Sequence, residues 1–377
     1  MAFDTSRLHE LLRVAVHYGA SDLHLRAGGP PSLRVGEELA TLKLDPLTPT
    51  DTLEAACVVL ASHGRTYDRT SIRELDVGYG VPGLARFRTH IYRQRGSVAL
   101  VLRAVPTTIP TFESLDLPRI LEAIAERPRG LILVTGTTAA GKSTTLAAMI
   151  GHLNRTRRLH IVTIEDPIEF LHANVHSSVS QREVGTDTES LSDALRAVVR
   201  EDPDVILVGE LRDHASVDTA LKATETGHTV LATLHTQDTV KSLHRLVALF
   251  PPEEQDGARR RVAECGEAIV SQRLVARAHE PRRIAAIELL IATPAIREAL
   301  RDPAGMGRVR DLMERGREQW GTQTFDQHLL SLLRAGTITR EEALRHATSA
   351  SDFERILMLE PAHDTPGGRT TAVGSPQ

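Results

Sequence analysis

The sequence predicts an α/β protein: a mostly parallel sheet with a small α+β unit in front of it and helices behind. Three observations predict it. Over 130–234, short apolar runs alternate with stretches of helical period, the order that parallel strands and crossover helices require. Before Pro106, stretches of period two follow a single helical stretch. Beyond residue 238 the helical period dominates.

Taken in order, residues 8–18 read as a helix, and 22–25, 32–35, 85–92 and 98–105 read as strands because polar and apolar residues alternate along them. Pro106, Pro110 and the threonines between them interrupt the pattern. They divide a first domain, 1–106, from a second, 113–360, with a linker at 107–112 and a helical stretch resuming over 113–126. The second domain reads as strand 131–135, a glycine-rich turn, helix 142–154, strand 160–164, helix 190–200, strand 205–209, helix 215–225 and strand 229–234. Helices are expected at 240–249, 253–273, 294–301, 309–315, 325–335 and 340–348. The tail 361–377, PAHDTPGGRTTAVGSPQ, offers almost no apolar area to offset its ordering entropy and is expected to be disordered.

Hydrophobic residues at 41% and charged residues at 25% of the 377 positions exclude wholesale disorder and fibrous repeats. The two cysteines, Cys57 and Cys265, cannot build a disulfide framework or a four-cysteine zinc site, and the start MAFDTSRLHE lacks a basic-then-apolar signal segment, so a cytoplasmic location is expected. Apolar runs stop far short of the roughly 18 residues that cross a bilayer, which argues against direct membrane insertion. A net charge of −4 and 3% aromatic residues argue against nucleic acid as a partner. Lysine occurs only at 43, 142, 222 and 241, so Lys142 in a glycine-rich loop is conspicuous.

That loop, Gly136-Thr-Thr138-Ala139-Ala140-Gly141-Lys142-Ser143, satisfies GxxxxGK[ST] between the apolar strand LILVT and a helix that continues through Thr144. Its successive N–H groups and the helix N-terminus would cradle a β-phosphate, Lys142 would neutralise phosphate charge and the Ser143 hydroxyl would ligate Mg²⁺. Ala139 is expected at negative φ, with its Cβ turned away from the phosphates. Three later strands end in polar residues, at Glu165-Asp166, Glu210 and His235, and an open α/β sheet puts such ends along one crevice. A hydrolase needs one carboxylate to deprotonate water and another to hold the hydrated metal, which makes Glu165 and Glu210 candidates. His235 reads either as part of that site or as a structural histidine.

With these motifs in hand, nearly the whole chain resembles the PilT/PilU branch of the type II/IV secretion ATPases, hexameric motors that retract type IV pili. GASDLHL (19–25) and ARFR (85–88) resemble that family's N-terminal PAS-like domain. RGLILVTG leads into its Walker A loop, TIEDPIEF is similar to its Asp box, LREDPDVILVGELRD to its Walker B segment and ETGHTVLATLHT to its His box. ATPAIREALR (292–301) resembles the retraction helix, cut short by Asp302-Pro303, while QTFDQ and ITREEALRHATSASDF look closer to PilU.

The resemblance implies a RecA-like P-loop ATPase domain with a smaller PAS-like α+β domain and C-terminal helices. It further implies ATP and Mg²⁺ as cofactors, a homo-hexamer, an inner-membrane pilus platform protein as partner and a paralogous retraction ATPase as a second one. The location implied is cytoplasmic, peripheral to the inner membrane. Glu165 would be the catalytic glutamate, Glu210 the Walker B acid and His235 the nucleotide sensor. Arg86, Arg88, Arg95 and Arg103 match arginines that reach ATP from the adjoining domain or a neighbouring subunit; for each, a solvated strand face is the alternative. Where the family usually has GPTGSGKST, this chain has GTTAAGKST, with Ala139 in place of a glycine and Ala140 in place of a serine. A PilU-like accessory subunit with weak hydrolysis and an assembly or secretion ATPase of the same superfamily are the alternatives implied.

Overall fold

The computed structural model describes residues 3–62 and 72–359. The segment 361–377, expected to be disordered, lies outside them. The first part of the chain builds α1 (Thr5–His17), β1 (Asp22–Arg26), β2 (Ser32–Val35), β3 (Glu38–Thr41), α2 (Pro49–Ala61), β4 (Glu74–Val81), β5 (Ala85–Gln94) and β6 (Ser97–Ala104). The strands form one antiparallel sheet in the order β3-β2-β1-β6-β5-β4. Alternation gives this sheet two faces. Leu23, Leu25, Leu33, Leu100 and Leu102 pack against Leu8 and Leu12 of α1 and Val59 of α2. The other face is polar, and one cross-strand row on it reads Arg34, Asp22, Arg103, Arg88, Gly78.

The second part contains α3 (Ile120–Ala125), β7 (Gly130–Thr135), α4 (Lys142–Thr156), β8 (His160–Glu165), β9 (Ser178–Glu183), α5 (Leu191–Val198), β10 (Val205–Val208), α6 (His214–Glu225), β11 (Thr229–Leu234), α7 (Thr239–Ala248) and α8 (Gln255–Cys265). Two further strands follow, β12 (Gly266–Ala276) and β13 (Arg283–Ile291). The seven strands run in the order β13-β12-β7-β11-β10-β8-β9, and every pair is parallel except β12 with β13. Helices cover both faces. On one, Val217 and Leu221 of α6 meet Ile164, Ile206 and Val208; on the other, Leu146, Met149 and Ile150 of α4 meet Ile132, Val134 and Leu207. Burial on both faces is why these strands read as unbroken apolar runs.

The helix expected at 253–273 is wrong in its second half: α8 ends at Cys265 and β12 begins at Gly266. A Cβ on Gly266 would lie 2.6 Å from the Val262 carbonyl oxygen, so glycine lets the chain turn out of the helix against its last turn. Beyond it, Ile269, Val270 and Val275 suit a buried strand better than a helix. The strand β13, RIAAIELLI, likewise lies where mainly helix is expected; it is a continuous run buried against β12 and the C-terminal helices. Those helices are α9 (Pro294–Arg301), α10 (Val309–Arg315), α11 (Arg317–Trp320), α12 (Phe325–Arg334), α13 (Arg340–His346) and α14 (Ala350–Leu359). Helix α9 stops at Arg301, where extended Asp302 precedes the short 3-10 segment Pro303–Arg308.

Candidate functional site

All but three of the candidate site residues named in the sequence line one cleft of about 930 Å³: Thr138, Ala139, Ala140, Gly141, Lys142, Ser143 and Thr144 of the loop, Glu165, Glu210 and His235 at strand ends, and Arg88 and Arg103 of the N-terminal sheet. The parallel register explains the convergence. Strands β8, β10, β11 and β7 are adjacent and aligned, so their carboxyl ends open on one side. Gly209 completes it, because even a Cβ there would lie 3.3 Å from the Ile164 carbonyl oxygen, and the bare backbone brings Glu210 beside the end of β8.

Gly136 is the first exception. It stands behind the loop: a Cβ would lie 2.7 Å from the Gln272 carbonyl oxygen on β12, so the residue serves close passage. Arg95 is the second: it is not among the residues that line the cleft within this chain. It occupies the turn between β5 and β6 at φ +46°, next to Gly96 at +80°, in a tight hairpin. Arg86 also stays out of the cleft, pairing with Glu183 at 2.9 Å.

Ala139 departs from its expected conformation. It sits at φ +62°, in the left-handed region, where negative φ was expected. A methyl group there costs roughly 1 kcal/mol, which the usual glycine would not. The loop ends at Gly141, φ +88°, from which α4 starts. Lys142 is 8% exposed, and its Nζ donates to the carbonyls of Gly136 at 2.9 Å and Thr137 at 3.0 Å. Burial lowers its pKa, against the pull of Glu210 and Glu169.

Glu165 ends β8. Its Oε1 accepts from Thr163 Oγ1 at 2.7 Å and Gln181 Nε2 at 3.0 Å, and its Oε2 accepts from the Glu169 N–H at 3.3 Å. Burial still raises its pKa, with Glu169 adding to the rise. A carboxylate that is oriented yet holds protons more tightly than usual is what a general base requires. Glu210 accepts from Arg212 Nε at 2.7 Å, and its other oxygen lies 3.5 Å from His235 Nε2. Arg212 also lies 3.7 Å from Asp166. Thr163, Gln181 and Arg212 are site residues that sequence reasoning missed; Gln181 and Arg212 lie in the segments SQREVG and ELRD that flank the candidates.

From the N-terminal sheet, Arg103 Nε donates to Asp22 at 2.7 Å and Arg88 lies 4.0 Å from Glu169. Both guanidiniums therefore face the cleft from a separate sheet of the same chain. Among the described residues, no cluster of three or more His, Cys, Asp or Glu side chains could hold a metal ion by itself. A hydroxyl on Ser143 and a carboxylate on Glu210 suit a hard cation that brings most of its ligands with a polyphosphate.

A family model described as type II/IV secretion system protein matches residues 107–347. The chain belongs to that family. Within it, the chain is 41% identical over 344 residues to the type IV pilus retraction ATPase PilT of Pseudomonas aeruginosa, covering 91% of this chain and 99% of that protein. It is 40% identical over 355 residues to the type IV pilus ATPase PilU of the same organism, covering 94% and 92%. These matches put it in the PilT/PilU branch. A crystal structure of the pilus retraction motor PilT with bound ADP superposes with a TM-score of 0.80 at 41% identity, over 92% of this chain and 98% of that one. The ATPase DotB of Legionella pneumophila superposes with a TM-score of 0.70 at 25% identity, over 95% and 97%. The RecA-like ATPase fold with a smaller N-terminal domain and C-terminal helices is thus that of the family.

Proposed function

We propose that this chain is an ATP-hydrolysing hexameric motor that powers type IV pilus retraction. The observation that carries the reading is the cleft: the phosphate loop with Lys142, and the strand-end carboxylates Glu165 and Glu210, line one cavity. The phosphates of ATP would lie on the loop N–H groups and the N-terminus of α4, with the Lys142 ammonium turning from the loop carbonyls to the β- and γ-oxygens. Ser143 and Glu210 would hold Mg²⁺, which neutralises developing phosphate charge when bound. Glu165, kept basic by burial and aimed by Thr163 and Gln181, takes the proton of the attacking water. His235 contacts Glu210 and so senses the metal-side geometry. Arg88 and Arg103 stabilise charge on the transferred phosphoryl group from the N-terminal domain, within a subunit or across a subunit boundary.

Residues 1–106 and 113–360 then act as two domains joined by 107–112, whose relative motion transmits the work. The partners are further copies of the chain, an inner-membrane pilus platform protein and a paralogous retraction ATPase, with the motor on the cytoplasmic side of the inner membrane. No helix among the described residues is long and apolar enough to cross a membrane. One observation favours the PilU-like alternative with weak hydrolysis: the strained left-handed Ala139. ATPase activity of the purified chain, measured with its solution mass over a range of concentration, tests the reading. Activity that rises as hexamers form supports it; full activity of a monomer contradicts it.

A further inference from the structure

We propose that Glu183 is a positioning residue that holds Glu165 in place by fastening the loop behind it to the N-terminal sheet. Glu183 ends the edge strand β9, paired in register with Glu165, and is 1% exposed. Donors from two directions meet its carboxylate. From the N-terminal sheet come the Gly78 N–H at 2.9 Å and the Arg86 guanidinium at 2.9 Å. From the loop after β8 comes the Ile168 N–H at 3.0 Å, and the hydroxyl of Thr186 adds a bond at 3.3 Å.

The next N–H after that of Ile168 is that of Glu169, the one that reaches Glu165 Oε2. A single residue of backbone, Ile168, therefore separates the N–H held by Glu183 from the N–H held by the carboxylate assigned here as the base. On the other side, Gly78 stands directly across from Arg88 in the β4–β5 register, and Arg88 faces Glu169 at 4.0 Å. Glu183 thus sets the sheet that carries the cleft arginines and the loop that follows Glu165 against each other. The approach is close: a Cβ on Gly78 would collide with the Glu183 carboxylate and with Arg86.

A buried ion pair contributes little net stability, because desolvation offsets its attraction, so packing alone gives no reason for a carboxylate here. Four converging donors from separate segments give a reason in geometry: they fix one arrangement of two sheets, and a small misplacement of a base costs rate steeply.

This inference rests on the reading of Glu165 as the base. Its test uses the full-length chain and steady-state ATP hydrolysis. Glu183→Gln keeps the shape but turns an amide N–H₂ toward at least one donor. Turnover is expected to fall about tenfold while KM for ATP stays within about twofold, because the phosphate loop is untouched. Arg86→Gln is expected to give the same split, and Arg86→Lys, which keeps the charge, to recover most of the loss. The double variant Glu183→Gln/Arg86→Gln should be no slower than the slower single variant, since both remove one latch. Wild-type turnover in Glu183→Gln, losses that multiply in the double variant, or a parallel loss of ADP binding would each overturn the assignment. A wild-type chain that binds ATP without hydrolysing it would overturn the reading of Glu165, and this assignment with it.

Discussion

The two sheets deliver residues to the cleft by different rules. The parallel sheet presents Glu165, Glu210 and His235 where strands end, so the side chains arrive together because the strands are aligned. The antiparallel sheet presents Arg88 from within β5 and Arg103 from near the end of β6, as cross-strand partners on its polar face. A site at strand ends tolerates changes along the strand. A site on a sheet face depends on register, since a slip of one residue would turn both arginines into the apolar core. The cleft therefore joins a chemically fixed half to a half whose contribution depends on how one sheet sits against the other.

Lys142→Ala breaks the fixed half. It removes the main protein cation from the phosphate site, and loss of charge-assisted bonds worth about 3 kcal/mol weakens ATP binding roughly a hundredfold. Equilibrium binding of a fluorescent ATP analogue measures this. The face-mounted half is sharpened by a set of three: Arg88→Ala and Arg103→Ala should each lower kcat by about tenfold to a hundredfold, since they act on charge that develops during transfer. Arg95→Ala, in the hairpin tip, should leave steady-state hydrolysis within about twofold. If Arg95→Ala were the damaging variant, the face assignment would be wrong. The smallest effect belongs to Ala139→Gly. Releasing left-handed strain of roughly 1 kcal/mol in the loop should raise turnover by about fivefold at most, while the added unfolded-state freedom of about 0.4–1 kcal/mol keeps the melting temperature nearly unchanged. A rise far beyond that, from a nearly inactive parent, would favour the accessory-subunit reading.

The same contrast explains what was legible in the sequence. The strands LILVT, VILV and TVLATL are buried on both faces and read as apolar runs, and the polar residues just past them were found as site candidates for that reason. Edge strands were not legible: β9, SVSQRE, is mostly polar, and β3 is exposed along its whole length. In β4, Gly78 and Gly80 blur the alternation, and one of them turns out to be needed where Glu183 approaches. Arginine type and spacing could not separate Arg95 from Arg88, because the difference is a turn. Nor could the sequence give the sign of φ at Ala139, since the loop pattern leaves that position open. Gln181 is not legible because its role depends on a parallel pairing of β8 with β9 that only the fold supplies, and Thr163 because its bond to Glu165 needs the strand to extend through Glu165, which puts residues i and i+2 on one face.

A single-turnover measurement on Glu165→Gln decides whether Glu165 is the base of an ATP-hydrolysing cleft. Bound ATP should be undiminished, and its cleavage slower by about a hundredfold or more, the scale of losing a general base. In the wild-type chain, activity should fall as acid protonates Glu165, with the midpoint above the roughly pH 4.3 of an ordinary glutamate because burial raises its pKa; in the variant that acid limb should vanish. Cleavage of ATP by Glu165→Gln at the wild-type rate, with the acid limb in place, would contradict the account.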